Sequence, residues 1–359
     1  MTTRTFEVRK DDLARTRWTD DPQGLRDGQV RVRVQTCALT ANNVTYAVMG
    51  DRFGYWSYYP ARDGWGRVPV WGYGEVREAC REDVEPGERL YGYWPMGQVA
   101  TLTPGKVTPG RIAEGSAHRA GLPPLYNEYL RLGRGAPDPA EAHRALFLPL
   151  AGTSYGLADW LDRQAWMGAG RVICTSASSK TAIGTGLLIR ERRGAPRVLG
   201  LTSARNEAVT RRVGAYDEVT TYDALEDIDP SVPTVVIDMA GDGALSARLH
   251  RHLGERLIHN AVVGAAHPDA ARRAPGMNDE RTELFFMPGY AAERNAATEG
   301  RFGRDLMAAA SRVADQARGW MRLVEASDEA GVADLWDRVR RGALAPDEGG
   351  VLRLDRIGA

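Results

Sequence analysis

The sequence predicts an α/β protein: a parallel, doubly wound sheet preceded by a region rich in short strands. From about residue 171, apolar runs of strand length alternate with helical patterns that stop at Gly or Pro, the rhythm of β-α-β units. Up to about residue 150 the pattern is instead period-two alternation broken by Gly and Pro, as in a partly open barrel or irregular sheet. A chain of 359 residues with 43% apolar side chains has room for two such cores. The expected boundaries are 1–150 for the β-rich domain, completed by about 300–359, and 151–299 for the doubly wound one.

In order along the chain, "QVRVRVQTCAL" alternates as a half-buried strand does, and "RVPVWGYGEV" and "ERLYGYWPMGQVATLTP" supply further strands. Aromatic residues crowd this region (Tyr46, Phe53, Tyr55, Trp56, Tyr58, Tyr59, Trp65, Trp71), a density that suits packing and also the lining of an apolar cleft. "LPLAGTSYGLADWLDRQ" reads as a helix. Six strands follow in "RVICTSA", "RVLGLTS", "DEVTTYD", "PTVVIDMAG", "RLIHNAVVGAA" and "ELFFMPGY". Helices lie between them at "TAIGTGLLIRERRG", "ARNEAVTRRVG" and "GALSARLHRHLG". The tail returns to a helix, "ADLWDRVRRGAL", and a strand, "GGVLRLD".

The turn after the first of the six strands is where such a fold binds a phosphate, because a helix N-terminus offers free N–H groups and partial positive charge. Glycines are favoured there so that the backbone can come close. This chain has Ser176, Ser179 and Ala182 at that spacing, with hydroxyls on Ser176, Ser178, Ser179 and Thr181 and a cation on Lys180. A P-loop is excluded, since it needs glycines where Cys174 and Ser179 stand. At the end of the second strand, "LTSARN" lacks the acid that selects a ribose diol and carries Thr202, Ser203 and Arg205. A hydroxyl and a guanidinium suit a 2′-phosphate, so the reading is NADP(H), held by Ser176, Ser178, Ser179, Lys180, Thr181, Ser203 and Arg205.

Basic and acidic residues balance at 47 each, which leaves no electrostatic footprint for nucleic acid or an anionic membrane. No apolar run approaches a membrane span, and the first residues lack a signal-peptide core. Cys37, Cys80 and Cys174 are too few for a disulfide framework or a four-thiolate zinc site. The expectation is a cytoplasmic protein without a metal, acting on a small molecule.

The order of parts resembles the medium-chain dehydrogenase/reductase superfamily, in its quinone oxidoreductase and enoyl reductase branch. "VRVQTCALTANNVTYAVMG", "LFLPLAGTSYGLADWL" and "RRVGAYDEVTTYD" carry the likeness. "GYWPM", "SASSKTA", "LTSARN", "YDEVTTYD" and "FFMPG" resemble a subgroup of that superfamily described only as a domain of unknown function. The resemblance implies a GroES-like N-terminal domain, a six-stranded Rossmann sheet, and a homodimer. It puts Thr40 where zinc-dependent members have a cysteine ligand; Cys37 lies three residues early, and His118, His143 and His267 are widely spaced. It implies a proton-donating tyrosine near Tyr59-Pro60, with Tyr46 and Tyr55 as competitors, and Asn43 orienting a carbonyl. It places Tyr222 at the adenosine end, and Thr153 and Gly264 to His267 beside the nicotinamide.

The reading is a zinc-independent NADPH-dependent reductase of a small carbonyl or activated alkene, with hydride transfer in a cleft between the domains. Two alternatives stay open: a non-redox enzyme (elimination or C–C cleavage) and a non-catalytic nucleotide-binding protein on the same fold.

Overall fold

Alternating residues in the β-rich region become strands, and buried apolar runs further on become a parallel sheet. The computed structural model of the protein describes residues 3–20, 24–263 and 278–358. It divides into two units, Met1–Leu146 with Met321–Ala359, and Phe147–Trp320.

In chain order the first unit has β1 (Arg4–Arg9), β2 (Thr16–Asp20), β3 (Val30–Leu39), α1 (Ala41–Val48), β4 (Trp65–Gly66), β5 (Pro69–Ala79) and β6 (Glu88–Pro95). It continues with β7 (Val99–Leu102), β8 (Pro104–Val107), β9 (Arg111–Glu114) and β10 (Glu128–Arg134), and the division falls inside α2 (Glu141–Arg163). Next come β11 (Arg171–Thr175), α3 (Lys180–Arg190), β12 (Arg197–Thr202), α4 (Ala204–Val213), β13 (Glu218–Thr221), β14 (Thr234–Asp238) and α5 (Gly243–Leu253). The second unit ends with β15 (Leu257–Val262), β16 (Thr282–Leu284), α6 (Met287–Ala297) and α7 (Arg301–Ala317). The first unit resumes with β17 (Arg322–Ala326), α8 (Glu329–Arg340) and β18 (Glu348–Arg353).

In the first unit a nine-stranded sheet runs β17-β18-β3-β5-β6-β10-β9-β8, with β7 also on β3, beside a three-stranded sheet β2-β1-β4. The pleat of β5 and β6 sorts their residues by parity. Trp71 faces Tyr93 and Tyr73 faces Tyr91 across the pair, so four rings share one face. On the other face Gly72 is paired with Gly92, and the Trp94 indole donates to the Gly72 carbonyl at 2.9 Å. A Cβ on Gly92 would overlap the Tyr129 ring, so glycine here is demanded by the packing.

The second unit is a six-stranded parallel sheet in the order β13-β12-β11-β14-β15-β16. Every residue of β11 and β14 is buried, as expected for central parallel strands covered on both faces. Strand order reverses between β11 and β14, and ligands of such sheets bind beyond the carboxyl ends there.

Two details differ from the sequence reading. The sixth strand ends at Leu284, and "MPGY" opens α6, because a proline in the first helical turn has its φ already set and needs no hydrogen-bonded N–H. The return to the first unit comes at Met321, not near 300, because α7 packs within the second unit: Phe302 lies 5.2 Å from the Tyr155 ring, and Ala309, Ala310, Val313 and Ala314 are buried.

Candidate functional site

The turn after β11 holds its shape with side chains. Thr175, the last strand residue, donates through Oγ1 to Asp238 Oδ1 at 2.9 Å and accepts the N–H groups of Met239 and Ala240. Asp238 also accepts from the N–H of Gly241 and the hydroxyl of Ser246, so the ends of β11 and β14 share one buried network. Ser176 then takes a left-handed conformation, φ +50°, unusual for a residue with a Cβ, and its N–H donates to the Tyr222 hydroxyl at 3.2 Å. Ala177 gives its N–H to Leu201 and accepts the Tyr216 hydroxyl. Ser179 is the N-cap of α3, its Oγ accepting the N–H of Ala182 at 3.3 Å.

Two of the expected phosphate ligands are therefore engaged within the fold. Ser179 Oγ caps the helix, and Ser178 Oγ accepts from Asn206 at 3.0 Å. Lys180 and Thr181 occupy the first two positions of α3. Helix geometry gives their N–H groups no intrahelical acceptor, and that of Thr181 finds none among the described residues. The Ser178 and Ser179 hydroxyls accept in their bonds and keep their O–H to donate, so the turn offers hydroxyl donors beside its backbone N–H groups.

At the end of β12 the side chains lack such bonds among the described residues. Thr202 Oγ1 is buried with no partner. Ser203 is the N-cap of α4 but makes no side-chain cap bond, and Arg205 is exposed with no ion pair among the described residues. Three donors thus lie within four residues, and no carboxylate stands among them. Tyr222, expected at the adenosine end, opens a turn after β13 with its phenol raised by burial and its hydroxyl on Ser176. Gly264 and His267 lie outside the described residues; Thr153 lies within α2.

In the first unit, Tyr46, Tyr59 and Asn43 all fall near the aromatic face of β5 and β6, in different circumstances. Asn43 is 3% exposed; its Oδ1 accepts the N–H of Thr40 at 2.7 Å and its Nδ2 donates to the Pro69 carbonyl at 2.8 Å. Its oxygen closes the cap of α1, the helix that carries Tyr46, while its amide nitrogen, bonded to Pro69 on β5, keeps a second N–H. Tyr59 donates to the Tyr93 carbonyl at 2.6 Å and meets the Tyr129 hydroxyl at 3.0 Å; burial pushes its phenol up. Its proton is committed to the backbone, a packing role. Tyr46 packs its ring on Tyr55, Tyr93 and Tyr126 at 4.7, 5.6 and 6.2 Å. Burial pushes it up to about 12, against a smaller opposing effect of a hydrogen bond with Trp71. Thr40 serves as the N-cap of α1, and burial raises the Cys37 thiol. Among the described residues no group of three His, Cys, Asp or Glu side chains is arranged to hold a metal.

The sequence reading passed over Asp238, Tyr91, Tyr93 and Arg119. "TVVID" ends a buried strand on an acid, a signal that it needs partners, and "YGYW" sets two tyrosines two apart in a strand, hence on one face. Arg119, in a turn-rich stretch, gave no signal.

A search of curated proteins found no match. Among solved structures, the quinone oxidoreductase from Coxiella burnetii is similar at 14% identity, with 98% of this chain and 99% of that one covered and a TM-score of 0.57. CurA from Vibrio vulnificus, in complex with NADPH, is similar at 10% identity over 98% of each chain, with a TM-score of 0.60. The putative NADPH:quinone reductase from Bacillus thuringiensis is similar at 12% identity over 98% and 99%, with a TM-score of 0.59. Identities this low show a shared fold: a six-stranded parallel sheet and a β-rich unit. A family model described as "Protein of unknown function (DUF2855)" matches residues 37–345, and the chain belongs to that family.

Proposed function

We propose that the protein is a zinc-independent oxidoreductase that uses NADPH to reduce a small carbonyl or activated alkene. One observation carries the reading: Ser203 and Arg205 present unengaged donors at the carboxyl end of β12, where an NAD-selective site has an acid. NADPH, when bound, supplies the hydride. Ser203 and Arg205 would hold its 2′-phosphate, and the first turn of α3, with Thr181 N–H and Lys180, its pyrophosphate. The CurA structure with NADPH supports this choice of cofactor. Tyr46 is the proton donor: with its phenol pushed up to about 12 it stays protonated through neutral pH. Tyr59 and Asn43 serve it as packing and cap. Thr40 and Cys37, engaged in a helix cap and the core, support a reaction without zinc.

The test is NADPH oxidation by the purified protein over a panel of quinones, enones and aldehydes. The expected result is turnover with at least one class, and a fall of about a hundredfold in kcat for Tyr46→Phe with NADPH affinity unchanged. A Tyr46→Phe enzyme as fast as the parent would remove Tyr46 from the reaction.

The turn without glycine, with Ser176 left-handed, favours a second reading, the fold kept for a non-redox reaction or for nucleotide binding alone. Substrate turnover without any nicotinamide would select it. Three free thiols fit a reducing, cytoplasmic setting, and among the described residues no helix is long and apolar enough to cross a membrane. For the homodimer, β16 is the edge of its sheet, with Phe286 62% exposed just beyond it, and sedimentation of the purified chain measures the state.

A further inference from the structure

Packing accounts for the rings of the aromatic cluster on β5 and β6, but not for its polar atoms. Tyr93 is 0% exposed, ringed by Tyr126 at 4.8 Å, Trp71 at 5.0 Å and Tyr58 at 5.3 Å, and its hydroxyl has no partner among the described residues. The Tyr91 hydroxyl, two residues away on the same face, has none either. Buried donors without acceptors are rare in folded proteins because each forfeits its hydrogen bond to water.

Arg119 adds a cation to the same cluster. Among the described residues three arginines are buried: Arg89, Arg119 and Arg171. Arg89 grips both oxygens of Glu141, and Arg171 donates to the Asp229 carbonyl. Arg119, 3% exposed, does neither. It donates through one terminal nitrogen to the Tyr129 hydroxyl at 3.0 Å and lies over the rings of Tyr59 at 4.4 Å and Tyr58 at 5.8 Å. Glu114 is near enough to act on it electrostatically but makes no ion pair with it. A ring face offsets only part of what removing a guanidinium from water costs. The missing component is an anion.

Tyr58 joins the two features. Its ring sits against Tyr93 on one side and under Arg119 on the other, and its hydroxyl has only a long contact, 3.5 Å, to the Pro123 carbonyl. Tyr55, Trp71 and Tyr126 are half-buried and form the rim. We propose that the aromatic cluster of the first unit binds a planar, carboxylate-bearing molecule, its carboxylate on Arg119 and its conjugated system among Tyr58, Tyr93 and Tyr126. The Tyr93 hydroxyl then donates to an oxygen of that molecule. Arg119 and Tyr126 both lie on the turns joining β9 to β10, so entry of the ligand requires that connection to shift.

This inference rests on the reading that the β-rich unit receives the substrate, and it is tested without any dinucleotide, so its failure and that of the NADPH reading are separable. The probes are trans-cinnamate, methyl cinnamate and inorganic phosphate, titrated calorimetrically into the full-length protein. Cinnamate should bind at least tenfold more tightly than its ester and than phosphate. Arg119→Met should abolish the preference for acid over ester, while Arg119→Lys retains part of it. Circular dichroism melts report whether each variant is folded, and the comparison of acid with ester on the parent needs no variant. Equal binding of acid and ester, tighter binding of phosphate, no binding of cinnamate, or a folded Arg119→Met that keeps the preference overturns the proposal.

Discussion

The two units use glycine in opposite ways. In the first, Gly72 and Gly92 face each other across β5 and β6, and the room they leave is filled by Thr36 and Cys37 of β3 and by the Tyr129 ring. In the second, the strand-to-helix turn where glycines are expected has none, and Ser176 bears a left-handed φ of +50°. Glycine has moved to where helix and sheet meet: a Cβ on Gly186 would come within 2.7 Å of the Ala215 carbonyl, and one on Gly200 within 2.7 Å of the Tyr216 ring. Glycine therefore follows the places where atoms must approach, and its absence from the turn removes close phosphate contact without undoing the fold. In the function proposed, recognition shifts toward the end of β12.

The comparison breaks most visibly if the first-unit glycines prove replaceable. Gly72→Ala sets a Cβ against the Thr36 carbonyl and 2.6 Å from the Cys37 Cα, backbone atoms that cannot rotate away. It should destabilise by about 3 kcal/mol, read as a lower urea midpoint with an unchanged slope. An unchanged midpoint would mean that β3 and β5 yield easily.

Next in size is an alkaline loss of stability. Burial raises Tyr46 to about 12, and raises Tyr59, Tyr91 and Tyr93 as well. With the folded pKa above the unfolded value near ~10, the unfolded chain ionises first, so the stabilisation is complete below about pH 10 and lost as pH rises toward 12. Tyr46 alone corresponds to on the order of 2–3 kcal/mol. Ultraviolet titration should show these phenols ionising together with unfolding; ionisation of all of them in the folded state at pH ~10 would contradict the burial.

How much was legible beforehand follows the same division. The six strands and the doubly wound fold were readable because buried parallel strands are apolar runs and their helices end on Gly214 or begin at Ser179 and Asp242. The donors at Thr202, Ser203 and Arg205 were readable because they are contiguous. The bonds from Asn43 to the Pro69 carbonyl and from Tyr59 to the Tyr93 carbonyl were not, since a side chain's partner across 26 or 34 residues leaves no local pattern. Arg119 was hidden for the same reason: its partners come from other turns and strands.

The smallest expected effect concerns the turn itself. Ser176→Gly relieves the left-handed conformation but gives the unfolded chain more freedom, for a net gain of up to about 1 kcal/mol. A loss in the thermal melt would mean that the Ser176 side chain stabilises the turn and that glycine is not missed there.

The central claim is that the donors at the end of β12 are built for a 2′-phosphate. Calorimetric titration of the protein with NADPH and with NADH tests it most directly. NADPH should bind at least tenfold more tightly, and Arg205→Ala should remove most of that difference while leaving NADH affinity unchanged. Equal affinities for the two dinucleotides, or binding of neither, would contradict it.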